Sequence, residues 1–218
     1  MLTTLYFLFS LALLAELIAV FRLQVLLPAR SYGWLLLIVL FGLFYDNFIL
    51  AIGSLLGEGD LLKSLSIGRY IGHALGTPLL VIFAFGIARR VGLGWAQGKL
   101  AHALVCLLTT ALIGFGIFRD IVNLEIAAEP LFDVVRYSNI GPKGPPISSI
   151  STILAMIFMG VLLWRSTAWQ WLAIGSIFMF IAASVGMGER IFISNLGEVV
   201  LGWACLASAR KFLIENDK

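Results

Sequence analysis

The sequence predicts an all-α, polytopic membrane protein. It is expected to be a single domain, residues 1–218, built as a bundle of seven transmembrane helices with the N-terminus outside and the C-terminus inside. Hydrophobic residues make up 61% of the 218 residues, charged residues make up 12%, and the mean hydropathy is +1.02. A soluble domain carries about 25% charged residues. The charges also stand in short islands between apolar runs, and the runs are long enough to cross a bilayer. Composition and spacing together exclude an ordinary soluble protein.

The seven apolar runs lie at about residues 3–22, 33–55, 69–88, 100–118, 148–164, 168–187 and 192–209. Backbone polar groups in lipid must find hydrogen-bond partners within their own segment, so each run is expected to be helical. The first run is interpreted as a retained helix rather than a signal peptide. No basic residue precedes it, and no small-residue cleavage site follows it.

The distribution of Lys and Arg predicts the orientation in the cell membrane. With the N-terminus outside, the inner side receives Arg22, Arg30, Arg89, Arg90, Lys99, Arg165, Arg210, Lys211 and Lys218. The outer side receives fewer basic residues, which are Lys63, Arg69, Arg119, Arg136, Lys143 and Arg190. Acidic residues lie among them and dilute their charge. The positive-inside rule favours this arrangement. The net charge of +3 therefore reflects topology, and no basic run with interleaved aromatics indicates a nucleic-acid partner.

One long connection, residues 119–147, is expected on the outer side. Its first half, Ile121 to Val135, has apolar residues at helical spacing with acids between them, which predicts a short amphipathic helix on the surface. Its second half, Gly141 to Pro146, is too rich in Gly and Pro to be helical. The connection is either a lid over an outward-facing cavity or a spacer between helix pairs.

A few ionisable and polar side chains interrupt the apolar runs at a similar depth. Asp46 lies roughly 20 Å from the inner boundary, while His73 and Glu198 lie roughly 7 Å and 10 Å from the outer boundary, by the helical rise per residue. Asn195 shares a helix face with Glu198. Glu16 is deeper, near the midplane. Ionisable groups inside spans are costly and are usually retained for function, so the sequence predicts a polar pocket in the outer half of the bundle.

In the pocket interpretation, Asp46 and Glu198 act as acid and base, and His73 tunes them. Two carboxyl groups in a poorly hydrated site repel each other, which leaves one protonated while the other stays ionised. Substrate binding is assigned to Tyr45, Asn47, Phe48, Arg69, Tyr70, Asn195 and Glu16. The aromatic rings of Tyr45 and Phe48 would steady a cationic intermediate by cation–π contact. The alternative is an interhelical clamp, in which Asp46 or Glu198 pairs with Arg69 or His73 only to hold helices together.

No metal and no cofactor are expected. The two histidines, His73 and His102, fall near opposite faces of the membrane, which argues against a bis-histidine haem. No lysine lies inside a run, which argues against a retinal Schiff base. Gly68, Gly72 and Gly76 recur every four residues and predict a helix that packs closely on a neighbour. Pro78 predicts a kink just below His73.

The Tyr45-Asp46 pair in the second helix and Glu198 in the sequence "EVVLGWACLASARK" of the seventh resemble the integral-membrane terpene cyclases of meroterpenoid pathways. In that family, carboxylates on these two helices act in the protonation-initiated cyclisation of a prenyl chain. The resemblance implies that Asp46 and Glu198 are those two acids, and Gly202 and Arg210-Lys211 match the helix-seven spacing. The family typically has Glu in helix two and Asp in helix seven, the reverse of this chain.

Three classes of function are left open. The first is an intramembrane enzyme of the cyclase or isomerase type, acting on a hydrophobic small molecule such as an isoprenoid or a lipid. The second is a proton-coupled transporter, and the third is a non-catalytic protein that binds membrane lipids or assembles with a partner. Beyond Glu16 the inner halves of the runs are nearly bare of polar residues, which favours the enzyme over the transporter. A homo-oligomer is left open.

Overall fold

The computed structural model describes residues 1–25, 32–141 and 146–214. The predicted inner charges at Arg30 and Lys218 and the outer charge at Lys143 lie outside the described residues. The α-helices are α1 (Leu2–Val25), α2 (Gly33–Leu56), α3 (Asp60–Gly76), α4 (Leu79–Arg90), α5 (Lys99–Ile117), α6 (Ile147–Thr167), α7 (Trp171–Val185) and α8 (Ile191–Ala209). Short 3₁₀ turns lie at Gly94–Gln97 and Gly188–Arg190, and π turns at Phe118–Val122 and Arg210–Ile214. Two strands, β1 (Ile126–Leu131) and β2 (Val134–Asn139), pair as an antiparallel hairpin.

Six helical segments of the described chain are long and apolar enough to cross a membrane. They are Leu2–Val25, Gly33–Leu56, Asp60–Arg90, Lys99–Val122, Ile147–Thr167 and Gly188–Leu213. The seventh predicted run corresponds to α7, which has only 15 residues and would be about 22 Å long. The prediction of an all-α chain with apolar helices of membrane-spanning length is therefore confirmed, whereas the length criterion selects six such helices rather than seven.

The third predicted run, 69–88, is part of a longer and interrupted segment. Helix α3 begins at Asp60, ends at Gly76, and is followed after Thr77 and Pro78 by α4. Proline cannot donate a backbone hydrogen bond, and its ring crowds the preceding turn, so the interruption falls where the sequence predicts a kink. His73 lies in the last turn of α3, directly before this break.

The core of the bundle is apolar and fully buried. Leu13, Leu36, Leu40, Phe83 and Phe85 belong to one large cluster that joins α1, α2 and α4. Many other large apolar side chains are exposed on the outside of the bundle. A soluble protein rarely exposes so much contiguous apolar surface, and a lipid environment accounts for it.

Helix α3 approaches α2 closely through glycines, as the sequence predicts. A methyl group at Gly72 would lie 3.7 Å from the Cα atom of Gly42, and one at Gly68 would press on the ring of Tyr45. Gly76 has no neighbour within 4 Å of that position among the described residues. Two of the three glycines therefore form the close contact, and they bring His73 close to Asp46 of α2.

The amphipathic helix predicted over Ile121 to Val135 is wrong, because most of this segment forms the hairpin. Pro130 explains the difference: in a helix interior it would remove a hydrogen bond and clash with the preceding turn, whereas an edge strand tolerates it. Leu131 and Val134 face each other across the hairpin turn and pack on α1 and α2, next to Tyr6 and Leu50.

The hairpin covers one end of the bundle, which we call the hairpin end. Tyr137 packs on Ile49 and Leu62, at the last turns of α2 and the start of α3. Asp133 in the hairpin turn contacts the amino group of Met1 and accepts a hydrogen bond from the backbone N–H of Leu2 at 2.8 Å. The segment thus packs on the bundle.

Candidate functional site

Asp46, His73 and Glu198 meet near the hairpin end of the bundle, and we call these three residues the acid–histidine cluster. They come from α2, α3 and α8. His73 Nε2 lies 3.7 Å from Asp46 Oδ1 and 3.8 Å from Glu198 Oε1. The helices fix these depths, because the backbone advances by a constant rise per residue. The arrangement places one imidazole between two carboxyl groups.

Asp46 has a partner on each of its oxygens. Arg69 Nε donates to Oδ1 at 2.8 Å, and Asn195 Nδ2 donates to Oδ2 at 3.3 Å. The Arg69 guanidinium is a permanent cation, and a charge-assisted hydrogen bond of this length stabilises the ionised carboxylate. The three side chains also tie α2, α3 and α8 together, as the clamp interpretation expects.

Glu198 is much less well satisfied than Asp46. Its side chain is only 12% exposed, and its Oε2 atom is buried without a hydrogen-bond partner among the described residues. Asn47 lies beside this carboxyl group but uses its Nδ2 to donate to the backbone oxygen of Leu43 at 3.0 Å. The Oδ1 atom of Asn47 is likewise buried and unpartnered within the described chain. A clamp alone does not account for these atoms, because buried polar groups are normally paired.

A residue in the break between α3 and α4 orients the His73 ring. Its Nδ1 atom lies 3.4 Å from Thr77 Oγ1, which turns Nε2 toward the two acids. The distances from Nε2 to the acids exceed the range of a hydrogen bond, so a small movement of the ring would close on either one. The His73 side chain is 33% exposed, which makes it the accessible member of the cluster.

Two further residues belong to the surroundings of the cluster and were missed from the sequence. Tyr6 of α1 is fully buried, its hydroxyl has no partner among the described residues, and it lies within electrostatic range of Asp46 and Glu198. Asp120, in the π turn after α5, lies within electrostatic range of His73. The position of Tyr6, five residues after Met1, indicates the same depth as His73 and could have singled it out.

The three aromatic residues assigned to substrate binding differ in position. The Tyr45 hydroxyl donates to the backbone oxygen of Leu65 at 2.9 Å, and the Tyr70 hydroxyl accepts the backbone N–H of Asn139 in β2 at 2.8 Å. Both tyrosines nevertheless lie within electrostatic range of Asp46. Phe48 is 38% exposed on the outside of the bundle. Two residues of helix rotate the chain by about 200°, so Phe48 faces away from Asp46.

Glu16 also lies apart from the three cluster residues. Its carboxyl group packs against Gly202 of α8, one helical turn beyond Glu198. It is fully buried, and neither carboxyl oxygen has a hydrogen-bond partner among the described residues.

The cluster is also the place in the described chain that could hold a metal ion. One ligand atom from each of Asp46, His73 and Glu198 lies within 4.8 Å of the other two. The expectation of no metal considered spacing within single helices, whereas these three ligands come from different helices. Arg69 already occupies Asp46 Oδ1 and adds a fixed positive charge, which works against a cation at that atom.

Comparison of the chain with protein-family models and with curated proteins found no match. The interpretation of the site therefore depends on its own geometry.

Proposed function

We propose that the chain is an intramembrane enzyme that carries out acid/base chemistry of the cyclase or isomerase type on an apolar isoprenoid or lipid. The catalytic residues are Asp46, Glu198 and His73. One observation carries the proposal: the two acids face the same imidazole in unlike surroundings. Asp46 is paired on both oxygens, whereas Glu198 has a buried oxygen with no partner in the described chain.

The unlike surroundings assign the roles of the two acids. An ionised carboxylate without a partner is strongly disfavoured in an apolar site, so Glu198 holds a proton, while Asp46 beside Arg69 stays ionised. Glu198 is thus the general acid and Asp46 the general base. Pairs of carboxyl groups with unlike surroundings divide acid and base roles in this way in other enzymes.

The reaction conserves protons. Glu198 gives its proton to a double bond or an epoxide oxygen of the substrate, which generates a carbocation. Ring closure or migration of the double bond ends with loss of a proton to Asp46, through His73. His73 Nε2 lies at nearly equal distances from both acids, so it can return this proton to Glu198 with a small movement of its ring. No external oxidant or reductant is needed.

The substrate class follows from what surrounds the cluster. Tyr6 contributes a buried aromatic ring beside the cluster, and the outside of the bundle exposes apolar side chains to lipid. A water-soluble substrate would find little to bind there, whereas a prenyl chain or an acyl chain partitions into such surroundings. The resemblance to the membrane terpene cyclases, which rests on the acids of α2 and α8, favours a prenyl substrate and a cyclisation.

The proposal includes a topology of seven crossings in the cell membrane, with the hairpin end outside. Helix α7 packs on both α6 and α8, which supports a crossing between them despite its length, because a bilayer can thin locally around a short helix. The basic residues of the described chain at the opposite end include Arg22, Arg89, Arg90, Lys99 and Arg165. Their excess supports a cytoplasmic location for that end.

The test is a comparison of lipid extracts from cells that express wild type, Glu198→Gln or Phe48→Leu. Untargeted mass spectrometry should find a product of unchanged mass but altered retention in wild type, because cyclisation and isomerisation rearrange bonds without changing composition. Phe48→Leu, outside the cluster, should retain the product, and Glu198→Gln should lose it. Identical extracts from wild type and a folded Glu198→Gln protein would contradict the proposal.

A proton-coupled transporter is the second candidate, and one observation favours it. The buried face of α1 carries four polar residues interrupted by Leu13 and Val20, namely Tyr6, Ser10, Glu16 and Gln24, so polar groups recur past the midplane on this helix. Transport predicts proton uptake into sealed vesicles that Glu16→Gln abolishes. An enzyme alone predicts no such uptake.

A further inference from the structure

We infer that Glu16 is a second proton-binding site, a neutral carboxylic acid that exchanges its proton with Glu198 and keeps that residue protonated. This inference deepens the proposed function, because it rests on Glu198 being the group that carries the proton. It assigns Glu16 a role that is separate from the substrate contact expected from the sequence.

The first argument is burial without compensation. Glu16 is 0% exposed, and both of its carboxyl oxygens are buried with no hydrogen-bond partner in residues 1–25, 32–141 and 146–214. An ionised carboxylate is far too poorly solvated in such a place, and ionisable groups there become neutral. The carboxyl group therefore holds a proton, and that proton is available for transfer.

The second argument is that the opposing helix has a notch for this carboxyl group. A methyl group at Gly202 would overlap Glu16 Oε2 and would lie 3.0 Å from Glu16 Cδ and 3.1 Å from the Leu40 side chain. Only glycine at this position lets the Glu16 carboxyl lie directly on the backbone of α8. Cys205, on the inner side of the notch, also lies within electrostatic range of Glu16.

The notch lies close to the acid–histidine cluster along α8. Gly202 follows Glu198 by four residues, so their Cβ positions lie about 6 Å apart on one face of α8. The buried face of α1 continues from Glu16 through Leu13 and Ser10 to Tyr6, which borders the cluster. In the proposed exchange, water molecules carry the proton along this interface between the two carboxyl groups. The path is reversible, because a proton that returns to Glu198 after turnover can refill Glu16.

The test uses infrared spectroscopy of the purified full-length protein in lipid nanodiscs, without substrate. A neutral carboxylic acid has a carbonyl band well separated from the bands of carboxylates, and deuteration shifts it. We expect a band of this kind in wild type that Glu16→Gln removes. After transfer into D₂O, the band should shift about tenfold more slowly in Glu198→Gln than in wild type. A tenfold slower shift corresponds to a modest increase in the free-energy barrier to proton transfer.

The matched control is Cys205→Ala, which lies within electrostatic range of Glu16 on the side away from the cluster and should leave the exchange rate unchanged. If Glu16→Gln does not fold, Gly202→Ala must displace the carboxyl group and move its band. A spectrum that Glu16→Gln leaves unaltered overturns the inference, and so does an exchange rate that is the same in wild type and Glu198→Gln. No substrate is used, so failure here is distinguishable from failure to find a product.

Discussion

The two halves of this bundle treat polar groups in opposite ways. At the end of the bundle away from the hairpin, the interior is a fully buried apolar core that includes Leu36, Phe83, Phe85 and Ile87. Toward the hairpin end, the interior instead contains the ion pair of Asp46 and Arg69 with His73 and Glu198. Tyr6 and Asn47 are buried beside them. Both halves are interior protein, yet in the described chain it is the hairpin-end half that brings two acids, an arginine and a histidine together where α2, α3 and α8 meet.

This contrast separates the residues that stabilise the fold from those that serve the proposed chemistry. Apolar packing without polar atoms fixes the helices relative to one another, and it can be altered only at the expense of stability. Buried polar atoms without partners destabilise the fold and are retained where they serve a function. Substitutions in the two halves should therefore separate into effects on folding and effects on activity.

The largest effect on folding is expected at the ion pair between Asp46 and Arg69, which links α2 and α3 near the hairpin end. Arg69→Met would leave the Asp46 carboxylate buried with only Asn195 beside it, and breaking a buried pair by removing one partner destabilises a protein by about 3–5 kcal/mol. The double variant Arg69→Met with Asp46→Asn should be less destabilised than the single one. The free energy of unfolding in mixed micelles measures both. Equal losses would show that Asp46 and Arg69 do not act as a pair.

A smaller loss is expected in the apolar half. Phe83 is fully buried, and Phe83→Ala opens a cavity in the core, so it should reduce the free energy of unfolding by about 3 kcal/mol, the lower end of the range for such truncations. Product formation per folded molecule should stay close to wild type, because the ring does not belong to the acid–histidine cluster. Loss of activity without loss of stability would contradict the division between the halves.

The smallest effect is expected at the hairpin turn, on the surface of the polar half. The amino group of Met1, with backbone N–H groups, holds the pKa of Asp133 below its usual range. A carboxyl group whose pKa is lower in the folded state adds stability at pH values above its unfolded pKa of about 4. That stability is lost as the pH falls below the unfolded pKa. Proteolysis of the hairpin should therefore increase as the pH falls below this value. Asp133→Asn should be cleaved more readily at neutral pH and should lack this dependence.

Much of the cluster is predictable from the sequence because helices convert residue number into depth. The positions of Asp46, His73 and Glu198 along three runs indicate a common level, and the structure brings them within 4.8 Å. The break after His73 is also predictable, since Pro78 cannot continue a helix.

The remainder depends on rotation of the helices and on contacts between distant segments. Phe48 is assigned to the pocket by its nearness to Asp46 in sequence, yet the rotation of the helix turns it to the outside. The hairpin is missed because helical spacing of apolar residues outweighs Pro130 in the sequence interpretation. Asp120 falls in the outer connection predicted over residues 119–147, and the π turn that brings it within electrostatic range of His73 has no clear sequence signal.

The unlike protonation of the two acids is the central claim, and infrared difference spectra test it most directly. At neutral pH, wild type minus Glu198→Gln should show the carbonyl band of a neutral carboxylic acid. Wild type minus Asp46→Asn should show carboxylate bands instead. Carboxylate bands in both difference spectra would mean that both acids are ionised, each balanced by Arg69 or a protonated His73. The cluster would then be a clamp between helices, and the proposed chemistry would have no proton donor.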